Sequence, residues 1–111
     1  MNLYIIGPVT GKPNDNREEF EHVLEELLEN PDVNLVMIPH DVVGSETSWQ
    51  QAMYLSIREI MRWWGFYLFG DYSHGFAIAM LDGWEESRGA RIEHDLAEAL
   101  GIECRPWREY L

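Results

Sequence analysis

The sequence predicts an α/β domain, a small parallel sheet of about four strands with helices on both faces. Three observations carry that reading. Short apolar runs alternate along the chain with longer segments of helical periodicity. Each strand-to-strand connection holds a helix, as a parallel crossover requires. Glycine and proline clusters separate the elements where the chain must turn.

Residues 2–6 form a short apolar strand that ends in Gly7-Pro8-Val9-Thr10-Gly11-Lys12-Pro13, whose glycines and prolines make a loop. Asn16 is placed to cap a helix over 17–29, with Glu19 in capping-box position. Phe20, Val23, Leu24, Leu27 and Leu28 follow the i, i+3, i+4, i+7, i+8 spacing of a core-facing stripe. Asn30-Pro31-Asp32 ends that helix, and branched residues over 34–38 give a second strand stopped by Pro39. Ser48 caps a helix over 49–64. Residues 76–81 are the third strand, 89–100 the third helix and 102–105 a last strand before Pro106.

The chain has 111 residues, enough for one domain, 1–111, and shows no repeat or linker. No apolar stretch approaches the ~20 residues needed to span a bilayer, and the start lacks a basic-then-apolar leader. The expected location is therefore cytoplasmic, and the lone Cys104 suits a reducing compartment. A formal charge of −12 argues against a nucleic-acid partner. It leaves room for a small anion, because Lys12, Arg88 and Arg91 lie in or beside the glycine loops. Glu18, Glu19, Glu21, Glu25, Glu26 and Glu29 read as a solvated helix face. His22, His40, His74 and His94 lack metal-ligand spacing, so neither a metal nor another cofactor is expected. Cys104 reads as a core residue.

The richest segment runs from Asp82 to Gly101. An apolar strand passes through Ser87 and Gly89 into a helix start, where unpaired N–H groups favour an anion. Ser87 is equally placed as N-cap or ligand contact. Glu93 lies one turn inside, either as a carboxylate set near the helix start for electrostatic reasons or as a reactive group, and the helix start favours its ionised form. In a sheet of this kind the loops after the first and third strands meet beyond the carboxyl edge. Residues 62–75, with six aromatics, read as core and loop packing, a subunit interface or a wall against a nucleobase.

Leu3-Tyr-Ile-Ile-Gly-Pro-Val-Thr-Gly11, together with Gly83-Trp-Glu-Glu-Ser-Arg-Gly-Ala-Arg-Ile-Glu-His-Asp-Leu-Ala-Glu-Ala-Leu-Gly101, resembles the nucleoside 2-deoxyribosyltransferase superfamily, in particular a small branch common in phages. The resemblance implies a Rossmann/flavodoxin-like fold. It also implies that Glu93 attacks the anomeric carbon of a deoxynucleoside and releases the base through a covalent ester, as retaining glycosidases do. Ser87 matches a phosphate-binding position, while Arg88 and Arg91 would add charge for a 5′-phosphate. Gly7 and Gly11 match a loop that approaches the sugar, Tyr4 a position near it, and Gly89 a close approach at the turn. Relatives carry an Asp at the start of the strand before the motif. In register that place is Phe76, with Asp71 or Asp82 as substitutes.

The expected activity is thus cleavage or exchange of the N-glycosidic bond of a nucleoside or nucleoside 5′-monophosphate, in the host cytoplasm if phage-encoded. The partners are that small molecule and further copies of the chain, in a homodimer or larger, without a membrane. The alternatives are a catalytically silent nucleotide-binding protein and an interaction module that docks through its aromatic segment.

Overall fold

The computed structural model describes residues 1–70 and 74–111. Its core is a four-stranded, all-parallel sheet in the order β2-β1-β3-β4, formed by β1 (Asn2–Ile6), β2 (Leu35–Met37), β3 (Phe76–Met80) and β4 (Glu103–Pro106). The expected α/β fold is present. Three helices make the crossovers: α1 (Arg17–Leu28), α2 (Trp49–Leu68) and α3 (Arg88–Ala99). Every residue of β1 and β3 is buried, which is why these central strands read as unbroken apolar runs.

Alternation along β1 divides the core into two layers. Leu3 and Ile5 face α1, joined by Phe20, Val23, Leu27 and, from a C-terminal 3₁₀ turn, Trp107 and Tyr110. Tyr4 and Ile6 face α2 and α3, meeting Ile60, Ala90 and Ala97. Helices therefore cover both faces. Leu28, expected in the core, lies one step beyond the α1 stripe and is 47% exposed.

Asn16 does not cap α1 as expected. Asn14, Asp15 and Asn16 all take left-handed backbone angles (φ 51°, 54° and 60°), a region that Asn and Asp tolerate better than other side chains. The Asn16 amide is turned to donate to the Pro8 carbonyl at 2.8 Å and to Glu19 at 2.9 Å, so it pins the β1–α1 loop. Ser48 behaves as predicted: it accepts from the Gln51 N–H at 3.1 Å, and the Gln51 side chain returns the bond at 3.0 Å. α2 runs one turn past the expected end at Trp64, because Gly65 costs a helix only about 1 kcal/mol and the Trp64–Tyr67 ring stack (5.4 Å) supports the extra turn. Gly101, at φ +81°, ends α3 with a Schellman pair, Gly101 N–H to Glu98 and Ile102 N–H to Ala97.

Where β1 ends, Gly7 is pressed against the residue that leaves β3. A Cβ built on Gly7 would stand 2.7 Å from Leu81 Cβ. Gly7→Ala is accordingly expected to lower unfolding free energy by about 1–3 kcal/mol, read as a reduced urea midpoint with unchanged m-value.

Candidate functional site

The order β2-β1-β3-β4 places the sheet's switch point between β1 and β3, and a cleft of about 510 Å³ opens at their carboxyl ends. Three segments line it: Gly7, Pro8, Val9, Thr10 and Lys12 of the β1–α1 loop with Asp15 and Glu19; the β2–α2 segment with Pro39, His40 and Val43, continuing into Trp49, Met53 and Ser56; and, at the β3–α3 turn, Asp82, Gly83, residues 86–90 and Glu93. Both glycine loops thus meet, as their placement after strands one and three predicts.

Glu93 closes the inner end of the cleft and is only 7% exposed. Its carboxylate accepts from Ser56 Oγ at 2.5 Å, and Ser56 Oγ lies 2.6 Å from Tyr4 Oη. With the Ser56 proton directed at Glu93, the Ser56 oxygen accepts from the Tyr4 phenol. One buried chain of oxygens therefore links β1, α2 and α3. Helix-start electrostatics led to the expectation of an ionised Glu93, but burial outweighs it. Glu93 is the sixth residue of α3, beyond the turn over which a helix terminus acts, and desolvation lifts its pKa from 4.5 to about 7 despite the Ser56 bond. Burial, with the Glu93 charge second, also pushes the Tyr4 phenol well above its ordinary value.

The turn above Glu93 combines a cap with free donors. Ser87 Oγ accepts from the Ala90 N–H at 3.2 Å, so the capping role is realised, and its hydroxyl proton remains to donate. Helix geometry leaves the N–H groups of Arg88 and Gly89 without intrahelical acceptors. The Arg88 guanidinium lies 4.4 Å from the centre of the Trp49 ring, held at the cleft wall by a cation–π contact. A Cβ on Gly89 would come within 2.9 Å of Met53 Sδ, so its close approach is to α2.

Other expected site residues fall elsewhere. Arg91 is directed outward, donates to the Glu85 carbonyl at 3.2 Å and does not line the cleft. Gly11 is left-handed at φ +83° and serves the loop's turn, while its neighbours Thr10 and Lys12 provide the lining. Tyr4 lies beneath the cleft and reaches it only through Ser56. Asp82 is at the rim, paired with Arg108 at 2.8 Å, and that hydrogen bond lowers its carboxyl pKa. Asp71 lies outside the described residues. Phe76 stands at the amino end of β3, about 13 Å of strand from the carboxyl edge, so no side chain there can serve the cleft. The expected absence of a carboxylate at Phe76 therefore does not bear on the site.

Ser56, Trp49 and Met53 were missed. The available signal was the spacing of Ser56, Glu59 and Ile60 at i, i+3, i+4, which puts two polar groups on the buried stripe of α2. Glu59 accepts from Trp63 Nε1 at 2.9 Å and so turns that indole inward. Cys104 is half-buried, and burial, aided by Glu98 and Glu103, raises its thiol to about 11, which leaves little thiolate at neutral pH. His94 packs on Trp84 at 4.3 Å, and its nitrogens with Asp95 and Glu98 form the one grouping of possible metal ligands among the described residues.

Residues 1–105 match the model of a family described as a domain of unknown function, DUF4406. The chain belongs to the DUF4406 family. No curated protein and no solved structure matches it. Among the described residues of this DUF4406 chain, no helix is long and apolar enough to cross a membrane.

The raised pKa of Glu93 fixes a pH dependence of stability. The folded chain holds this proton up to about pH 7, whereas the unfolded chain releases it near 4.5. The contribution is fully present below pH 4.5 and is lost as pH rises through about 7. Glu93→Gln keeps the Ser56 contact without a titrating group, so urea unfolding should show it more stable than wild type by about 3 kcal/mol at pH 8 and nearly equal at pH 4.

Proposed function

We propose that this DUF4406 chain binds a nucleoside or nucleoside 5′-monophosphate in the cleft and cleaves or exchanges its N-glycosidic bond through Glu93. The observation that carries the reading is a buried carboxylate with a fixed hydrogen-bond partner, set in the cleft below a helix start that offers N–H donors, Ser87 and Arg88. The sequence resemblance to nucleoside 2-deoxyribosyltransferases supplies the reaction type.

In this mechanism the anionic end of the ligand rests at the start of α3, where Arg88 and the free N–H groups favour negative charge. That places the sugar toward Glu93. A Glu93 carboxylate oxygen forms a bond to the anomeric carbon, and the carbon–nitrogen bond breaks with its electron pair passing to the base. The base takes a proton from water. Water or a second base then attacks the same carbon, loses a proton to solvent, and returns the ester electron pair to Glu93. Ser56 donates to the carboxylate, which favours the ionised form that attacks, and Tyr4 holds Ser56 in place.

Binding without turnover is the second reading. Asp82, one of the two acids expected to support the reaction, is bonded to Arg108 and so is not free to hold a sugar hydroxyl or protonate a base.

A panel of deoxynucleosides and their monophosphates tests both. Base release is expected, with a deoxyribosyl mass adduct that Glu93→Ala abolishes along with at least about a 1,000-fold loss of rate. The rate should climb with pH up to about 7 and level off above it. Thermal stabilisation without free base or adduct would support binding alone. No stabilisation and no base across the panel sinks both readings.

A further inference from the structure

α2 is the longest helix, at 20 residues, yet only Ser56, Glu59 and Ile60 of it are buried. On the side opposite those three lies a stripe of Tyr54, Arg58, Met61, Gly65 and Leu68, spaced i, i+4, i+7, i+11, i+14. That is the spacing of a helix-to-helix seam, not of a helix laid on a sheet. Tyr54 is 64% exposed, Met61 40%, Leu68 57%, and Phe69 beyond it 85%. Apolar groups this large, contiguous on one helix face, mark a contact surface.

We infer that α2 pairs antiparallel with α2 of a second copy of this chain, across a two-fold axis at Met61. The face is complementary to itself. At its C-terminal end Leu68 and Phe69 project as a knob, and at its N-terminal end Thr47, Gln51, Tyr54 and Leu55 line a shallow groove. A two-fold through Met61 sets Leu68 of each copy against Tyr54 of the other, so each knob meets a groove, and the match is made twice, as an isologous interface requires. The same operation leaves each Arg58 over the Tyr54 ring of its own copy, 5.7 Å from its centre. It keeps the two Arg58 charges about 9 Å apart along the axis, near one Debye length. Gly65, with open space where its Cβ would lie, lets the backbones approach.

Charge favours this occupant over a lipid surface. Either occupant meets the net charge of −12, but anionic headgroups set negative charge directly at the contact, whereas a second α2 brings Glu59 as its single acid, buried and bonded to Trp63 and Arg62. The two helices overlap from Tyr54 to Leu68, about 21 Å, a contact at the low end of specific interfaces, so a weak dimer is expected.

Sedimentation velocity on the full chain from about 1 to 100 µM should show a monomer–dimer equilibrium. Met61→Asp, which sets two carboxylates face to face, should abolish the dimer with the circular dichroism spectrum unchanged. Should that variant fail to fold, disulfide mapping decides instead. Met61→Cys should cross-link to its own copy under mild oxidation, Tyr54→Cys alone should not, and Tyr54→Cys combined with Leu68→Cys should. Wild type, with Cys104 as its one thiol, serves as the control. A monomer throughout the range, a dimer indifferent to Met61→Asp, or a Met61→Cys chain that does not cross-link overturns the inference.

Discussion

A carboxyl group withdrawn from water must find hydrogen-bond partners or keep its proton, and Glu93 does some of each. Its partner Ser56 belongs to a different helix, and the partner of Ser56 is a tyrosine in the middle of the central strand. Three elements that otherwise touch through apolar side chains are thereby held in one fixed relation. The polar chain also satisfies the Tyr4 hydroxyl, which would otherwise be stranded on the apolar face with Ile6, Ile60 and Ile78. Loss of any member leaves another buried and unpaired, so the site and this half of the core depend on each other.

The charge distribution follows the same division of labour. The exposed acids of α1 and its C-cap, Glu18, Glu21, Glu25 and Glu29, point to solvent on the side of the sheet away from Glu93. At the cleft the balance is local: Lys12 and Arg88 stand among Asp15, Glu19 and Glu86. An acidic chain can therefore present a cationic helix start, because a guanidinium stacked on an indole stays put while distant surface charges are screened.

Much of the architecture was legible in the sequence because its signals are local. The Ser48 cap, the Gly101 stop and the doubly buried strands each rest on residues adjacent in the chain. The site was legible only in part. Glycine loops and the Ser87 turn declare themselves by spacing, but Ser56 is one small polar residue in a helix, and its target lies 37 positions away. The protonation of Glu93 depends on burial, which only tertiary packing sets. Arg91 and Phe76 show the opposite error. Both sit beside a motif in sequence, yet helix rotation sends Arg91 outward and the rise of the strand carries Phe76 to the far edge of the sheet. Asn16 had the right residue type for a cap, but a left-handed backbone turned it to another task.

The sheet's margins have a bearing on how copies of the chain meet. β2 offers three residues to a neighbour, and β4 ends at Pro106, which has no N–H to give. Both margins are short, and Pro106 removes a donor from one of them, which disfavours continuous sheet growth between molecules. That shields two apolar central strands from amyloid-type stacking, and it directs association away from backbone pairing toward side chains, where geometry limits it to a closed number of copies.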